Sequence, residues 1–250
     1  MVARTAPVRT VAASSLTAHL RHFSLMALPT IAPYRAPAAQ ELPAPRHGWS
    51  LRPQRAALLV HDMQQYFLAP FGNAHPALQT AIANIQALLQ ACRAAGVPVF
   101  YTAQRGNQLR CDRGLQAELW GPGMRAEAAH ESIHSALRPV DGEHILTKHR
   151  YSAFQRSNLD TLLRARGRDQ LLITGVYAHI GCMLTAAEAF QRDIEPFLMA
   201  DALADFDRAR HDLALQWSAG TCATPLMTAT ALDALAPVGQ EANQEAAPCN

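Results

Sequence analysis

Hydrophobic positions change their spacing several times along this chain. Residues 56–63 (AALLVHDM) form an apolar run broken only at its end, as in a strand buried on both faces. From Pro76, a favourable first helical residue, Leu78, Ile82, Ile85, Leu89 and Cys92 recur at helical spacing until Gly96. Residues 97–104 (VPVFYTAQ) and 143–149 (EHILTKH) predict two further strands, separated by a mostly irregular excursion over 105–142. Ser157 is placed to cap a helix that runs to about Arg166 and stops at Gly167. The alternation continues with a buried strand over 170–176, a helix over 182–192, a strand over 196–200, a helix over 207–219 and a short strand over 222–228. From Asp233 the chain reads as a polar tail.

Strands alternating with helices predict an α/β fold. The expectation is a single three-layer αβα domain, doubly wound, with a mainly parallel sheet of roughly six strands over residues 55–235. Pro29, Pro33, Pro37, Pro43, Pro45 and Pro53 make 26–54 an extended arm. Residues 1–25 hold Arg4, Arg9 and Arg21 but no acid. They read as a disordered or mis-assigned extension ahead of a start at Met26, with an organelle transit peptide as the alternative. Residues 236–250 read as a disordered tail.

Composition narrows the setting. Twenty-two Lys and Arg against 20 Asp and Glu provide no basic field for nucleic acid. No apolar run is long enough for a membrane span. The five cysteines are odd in number and lack a Cys-x-x-Cys pair, so neither a disulfide framework nor a zinc ribbon is expected. A cytoplasmic, reducing setting follows.

In a doubly wound sheet, ligands collect beyond the carboxyl ends of the strands. The polar residues there are Asp62, Gln104, Lys148 and the Tyr177–His179 segment. Taken singly, Asp62 is a backbone cap or a functional acid, and Lys148 a surface charge or a partner for it. On neighbouring strand ends the two should couple electrically. Cys182, opening a helix after a strand, reads as an activated nucleophile or as a small buried residue. His130-Glu131-Ser132-Ile133-His134 matches the zinc-protease pattern literally. Its weak helical character and lack of a third ligand make it a chance match, and no metal is expected.

Six ordered blocks carry a more specific resemblance: LLVHDMQQYF (58–67), YTAQ (101–104), LWGPG (119–123), KHRYSAF (148–154), ITGVYAHIGC (173–182) and PFLMADALADF (196–206). Over about residues 26–235 the chain resembles isochorismatases, above all those of catecholate-siderophore pathways, with the phenazine-pathway enzymes close by. The wider superfamily includes amidases with an Asp, Lys, Cys triad. In register, their nucleophile falls on Gly181 rather than Cys182, and isochorismatases likewise have glycine there.

The resemblance implies cleavage of isochorismate to pyruvate and 2,3-dihydro-2,3-dihydroxybenzoate without a cofactor. Asp62 would be the general acid, with Lys148 and Gly181 completing the catalytic group. It assigns Gln104, Arg113, Lys148, Tyr177 and the Gly181 amide to the substrate carboxylates, and Phe67 and Trp120 to the pocket wall. Small Gly181 is expected to leave room for the enolpyruvyl group. The motif of an aryl carrier domain is missing, which implies a carrier protein in trans, and such enzymes are commonly homodimers or larger. The alternatives are the 2-amino analogue as substrate, an amidase acting through Cys182, and a non-catalytic partner of carrier proteins.

Overall fold

Strand β1 (Ala56–His61) is buried at every position, and its side chains alternate between two cores. Ala56, Leu58 and Val60 join one core, and Ala57 and Leu59 the other, the period-2 signature of a strand covered on both faces. Each fully buried leucine contributes about 2–3 kcal/mol of transfer free energy. The computed structural model describes residues 28–236. The expectations for residues 1–25, Met26 and the tail beyond 236 lie outside them.

β1 pairs in parallel with β2 (Val99–Ala103) and with β4 (Gln170–Val176). β3 (His144–Thr147), β5 (Glu195–Ala204) and β6 (Thr224–Leu226) complete a six-stranded, all-parallel sheet in the order β3-β2-β1-β4-β5-β6. Helices Pro76–Ala94 and Thr228–Leu235 pack on one face. Helices Leu159–Ala165, Met183–Phe190 and Arg208–Thr221 pack on the other. The winding direction reverses between β1 and β4, where a crevice opens beyond the strand ends.

Local chemistry sets the boundaries. Pro76 follows His75, whose ring accepts from the Leu78 N–H, and Asp207 caps the helix after β5 by accepting from Arg210 N–H. Three sequence expectations need correction. Ser157 lies one residue ahead of the Asn158 cap position, although its hydroxyl still accepts from Leu159 N–H. β5 continues to Ala204, because Ala202, Leu203 and Ala204 are all buried. Asp233 belongs to the closing helix Thr228–Leu235, which buries Ala231 and Leu235.

The proline-rich arm is tied across the body. Ile31 N–H donates to Pro70 O, the Tyr34 hydroxyl accepts from Asp205 N–H, and Arg46 N–H donates to Ala219 O. The 105–142 excursion contains the short helical turns Arg110–Arg113, Gln116–Trp120 and Ala128–Glu131. Among the described residues no helix is long and apolar enough to cross a membrane.

Candidate active site

The residue after β1 departs from strand geometry. Asp62 has φ of +51°, a left-handed conformation that aspartate tolerates better than most residues. Its N–H donates to the Thr102 hydroxyl on β2, and the same hydroxyl donates back to Asp62 Oδ1 at 2.6 Å. On the other oxygen, Lys148 Nζ donates to Oδ2 at 2.8 Å. Both charged groups are buried. Three adjacent strands thus fix a single carboxylate.

Burial alone would raise the Asp62 pKa. His61, Lys148 and the Thr102 hydroxyl outweigh it, and the net direction is downward. Near neutrality His61 is uncharged, because burial pushes it down to about 4. The Lys148 ammonium and the two hydrogen bonds therefore hold Asp62 ionised.

A pocket with about 570 Å³ of empty space, part of it open to solvent, lies over this pair. Asp62, Phe67, Gln104, Arg113, Trp120, Lys148, Tyr177 and Gly181 all line it, so the eight residues that the family resemblance assigns to the site reach one cavity. Arg113 arrives from the irregular excursion. Its guanidinium is buried, its Nε–H donates to Gly121 O at 3.1 Å, and it forms no ion pair among the described residues. Burial lowers its pKa. A buried cation without a counter-charge is costly, so the pocket favours an anion. Gly123 makes space for it: φ is +80°, and a Cβ there would stand 2.4 Å from Arg113 Nη1.

Tyr177 contributes differently from expectation. Its hydroxyl donates to Phe67 O at 2.7 Å, so that hydrogen is committed and does not face a substrate carboxylate. The ring packs at 4.3 Å between centroids against Phe206, which also approaches Trp120, and these aromatics form the wall. Trp120 Nε1–H donates to the Tyr151 hydroxyl at 2.6 Å.

After β4 the chain makes a wide π-type turn over Ala178–Cys182 before the regular helix begins at Met183, one residue later than the sequence suggested. Asp205 anchors this turn, accepting from the His179 N–H and from its ring Nδ1, each at 2.6 Å. Gly181 faces the pocket, but the room expected beside it is already taken. A Cβ there would stand 2.1 Å from His61 Cε1. Cys182 does not line the pocket. It is buried, its thiol contacts Thr174 O at 3.9 Å, and burial pushes its pKa well up, the opposite of an activated nucleophile.

His130 and His134 fall on separate turns, each ring accepting from a backbone N–H.

Sequence reasoning missed several contributors. Gln64 clamps Gln104, its side chain accepting from Gln104 N–H at 2.7 Å and donating to Gln104 O at 2.9 Å. His61, Thr102, Tyr151 and Phe206 were also not singled out. Thr102 had a signal, being a hydroxyl within an apolar strand beside β1. The others depend on contacts distant in sequence.

The profile of the isochorismatase domain family matches residues 56–230. The chain is 47% identical over 210 residues to the isochorismatase of Bacillus subtilis (strain 168), covering 84% of this chain and 67% of that protein. It is 45% identical over 220 residues to enterobactin synthase component B of Escherichia coli (strain K12), covering 88% and 77%. Among solved structures it resembles a cysteine hydrolase from Pseudomonas syringae pv. phaseolicola 1448A, with a TM-score of 0.67, 27% identity, and coverage of 77% of this chain and 97% of that one.

Proposed function

The chain belongs to the isochorismatase family, and from that premise we propose that it hydrolyses the enolpyruvyl vinyl ether of isochorismate to 2,3-dihydro-2,3-dihydroxybenzoate and pyruvate. The observation that carries this reading is the buried Asp62–Lys148 pair, 2.8 Å apart, facing a pocket that also contains an unpaired buried arginine. Breaking a vinyl ether begins with a proton on its terminal carbon, so the site needs an acid and not a nucleophile.

An ionised Asp62 cannot give a proton directly. Entry of two substrate carboxylates offsets the pull of the Lys148 ammonium and raises the Asp62 pKa, so the carboxylate takes up a proton as the dianion binds. That proton passes from Asp62 to the CH₂ carbon. The vinyl π electrons form the new C–H bond, leaving an oxocarbenium ion that the restored carboxylate stabilises. Water adds to the cation and gives its surplus proton to Asp62, which loses it again as the products leave. The resulting hemiketal collapses to pyruvate and the ring diol, and the enzyme is back in its starting state.

In this reading Arg113 and the Gln104 amide hold substrate carboxylates, Arg113 through a two-pronged contact. Phe67, Trp120 and Tyr177 exclude water. The product feeds 2,3-dihydroxybenzoate formation for a siderophore, with an aryl carrier protein as partner and a cytoplasmic homo-oligomer as the working enzyme. The test is pyruvate release from isochorismate, run beside its 2-amino analogue. Faster turnover of isochorismate is expected; preference for the analogue would move the enzyme to phenazine chemistry, and turnover of neither would reject the reading.

A further inference from the structure

His61 ends β1 as a polar residue in an otherwise apolar strand, yet it is completely buried. The mechanism does not use it. Val176 O lies 2.8 Å from Nδ1 and, being a carbonyl, accepts the hydrogen there. Nε2 lies 3.4 Å from Tyr151 O, and Asp62 Oδ2 is 3.8 Å from Nδ1. The ring is thus held between the end of β4 and the segment after Lys148, with the catalytic carboxylate alongside. Its Cε1 fills the place where any residue but glycine at 181 would put its Cβ, 2.1 Å away, with Nε2 at 2.6 Å. Real Cβ atoms do not approach so closely, and this neighbour is not a flexible chain end. It is a rigid ring, fixed by its hydrogen bond to the Val176 carbonyl.

We propose that His61 is a positioning residue that occupies the side-chain space of residue 181, so that the two positions are set as a pair. While the imidazole is present, residue 181 has to be glycine and the pocket has no place for a nucleophile on the turn after β4. Removing the ring opens that place beside Asp62 and Lys148. Steric coupling of this kind makes the two substitutions non-additive.

A double-mutant cycle tests this with His61→Val, Gly181→Ala and the combination, read by urea midpoint and by pyruvate release. Gly181→Ala alone is expected to lower activity about 10-fold or more, and to cost about 3-fold or less once His61→Val is present. Equal effects of Gly181→Ala in both backgrounds would overturn the proposal. If Gly181→Ala alone does not fold, recovery of folded protein in the combination is the supporting result. Failure of the combination where His61→Val folds is the contrary one. Should His61→Val itself not fold, His61→Asn, shorter than the ring but still able to donate to Val176 O, serves as the background with the same expectations.

A second readout needs no substrate and so separates this proposal from the assignment of isochorismate. The thiol introduced by Gly181→Cys should be alkylated by iodoacetamide in the His61→Val background and resist it beside the native histidine, as mapped by peptide mass against Cys111, which is exposed. Labelling that ignores residue 61 would reject the coupling. A purely structural histidine would change stability without gating that thiol.

Discussion

The two walls of the crevice between β1 and β4 are built on opposite plans. On the β1 side, Asp62 and Lys148 are buried charges, and both carboxylate oxygens are engaged by donors from neighbouring strands. On the β4 side, the turn from Tyr177 to Cys182 brings a ring and a glycine to the site and keeps a buried thiol away from it. The contrast separates two tasks. Moving a proton needs ionisable groups held out of water at fixed distance, whereas placing a doubly anionic substrate needs shape. A cysteine one position from the pocket lining takes no part, because its surroundings raise its pKa instead of lowering it.

The sharpest way to break this contrast is to remove the ammonium. Lys148→Met should lower kcat for pyruvate release on the order of 10²-fold. It should also destabilise the fold by about 3 kcal/mol or more, since a buried carboxylate is left with the Thr102 hydroxyl alone. Activity near that of the native enzyme would mean that Lys148 does not hold Asp62 in place for the transfer. Next in size is Arg113→Gln, expected to raise KM about 10-fold or more with kcat changed far less, the pattern of lost substrate binding. A selective fall in kcat would instead place Arg113 in the chemical step.

The charged wall was the more legible in the sequence. Asp62 and Lys148 stand out because each closes an apolar strand, and a parallel sheet brings such ends together. Their mutual distance and the hydroxyl between them required β2 to be placed. Arg113 came from the family resemblance and not from pattern, because 105–142 has no periodicity that would aim a side chain. His61 was illegible for a plainer reason. Its meaning depends on Gly181, 120 residues further on and carried by the turn after β4. The helix Thr228–Leu235 is hard to read because it is short and buries only Thr228, Ala231 and Leu235, with Asp233 breaking the apolar pattern at its end.

Acid sharpens the comparison through His61, which sits where the two walls meet. Its folded pKa is about 4 against an ordinary value of 6.5. Between those limits the unfolded chain binds a proton that the folded chain does not. Stability therefore falls as pH drops through this window, by about 1.4 kcal/mol per pH unit, and is unaffected by this group above it. Urea denaturation at pH 7 and pH 5 should show a smaller difference for His61→Val than for the native chain; an equal difference would mean that the ring is not held neutral.

The smallest effects belong to Tyr177 and Cys182. Tyr177→Phe deletes the hydrogen bond to Phe67 O and should cost about 1 kcal/mol of stability with kcat changed less than about 3-fold. Cys182→Ala should leave turnover within about 2-fold, as for any buried residue without a chemical role. Loss of activity in the latter would revive the thiol as nucleophile.

The central claim, that Asp62 hands the proton to carbon, is tested most directly by Asp62→Asn, which keeps the shape of the side chain but cannot carry the proton. Single-turnover pyruvate release should slow on the order of 10³-fold while isochorismate still binds. Turnover within about 10-fold of the native rate, with binding intact, would contradict it and move the acid to another group.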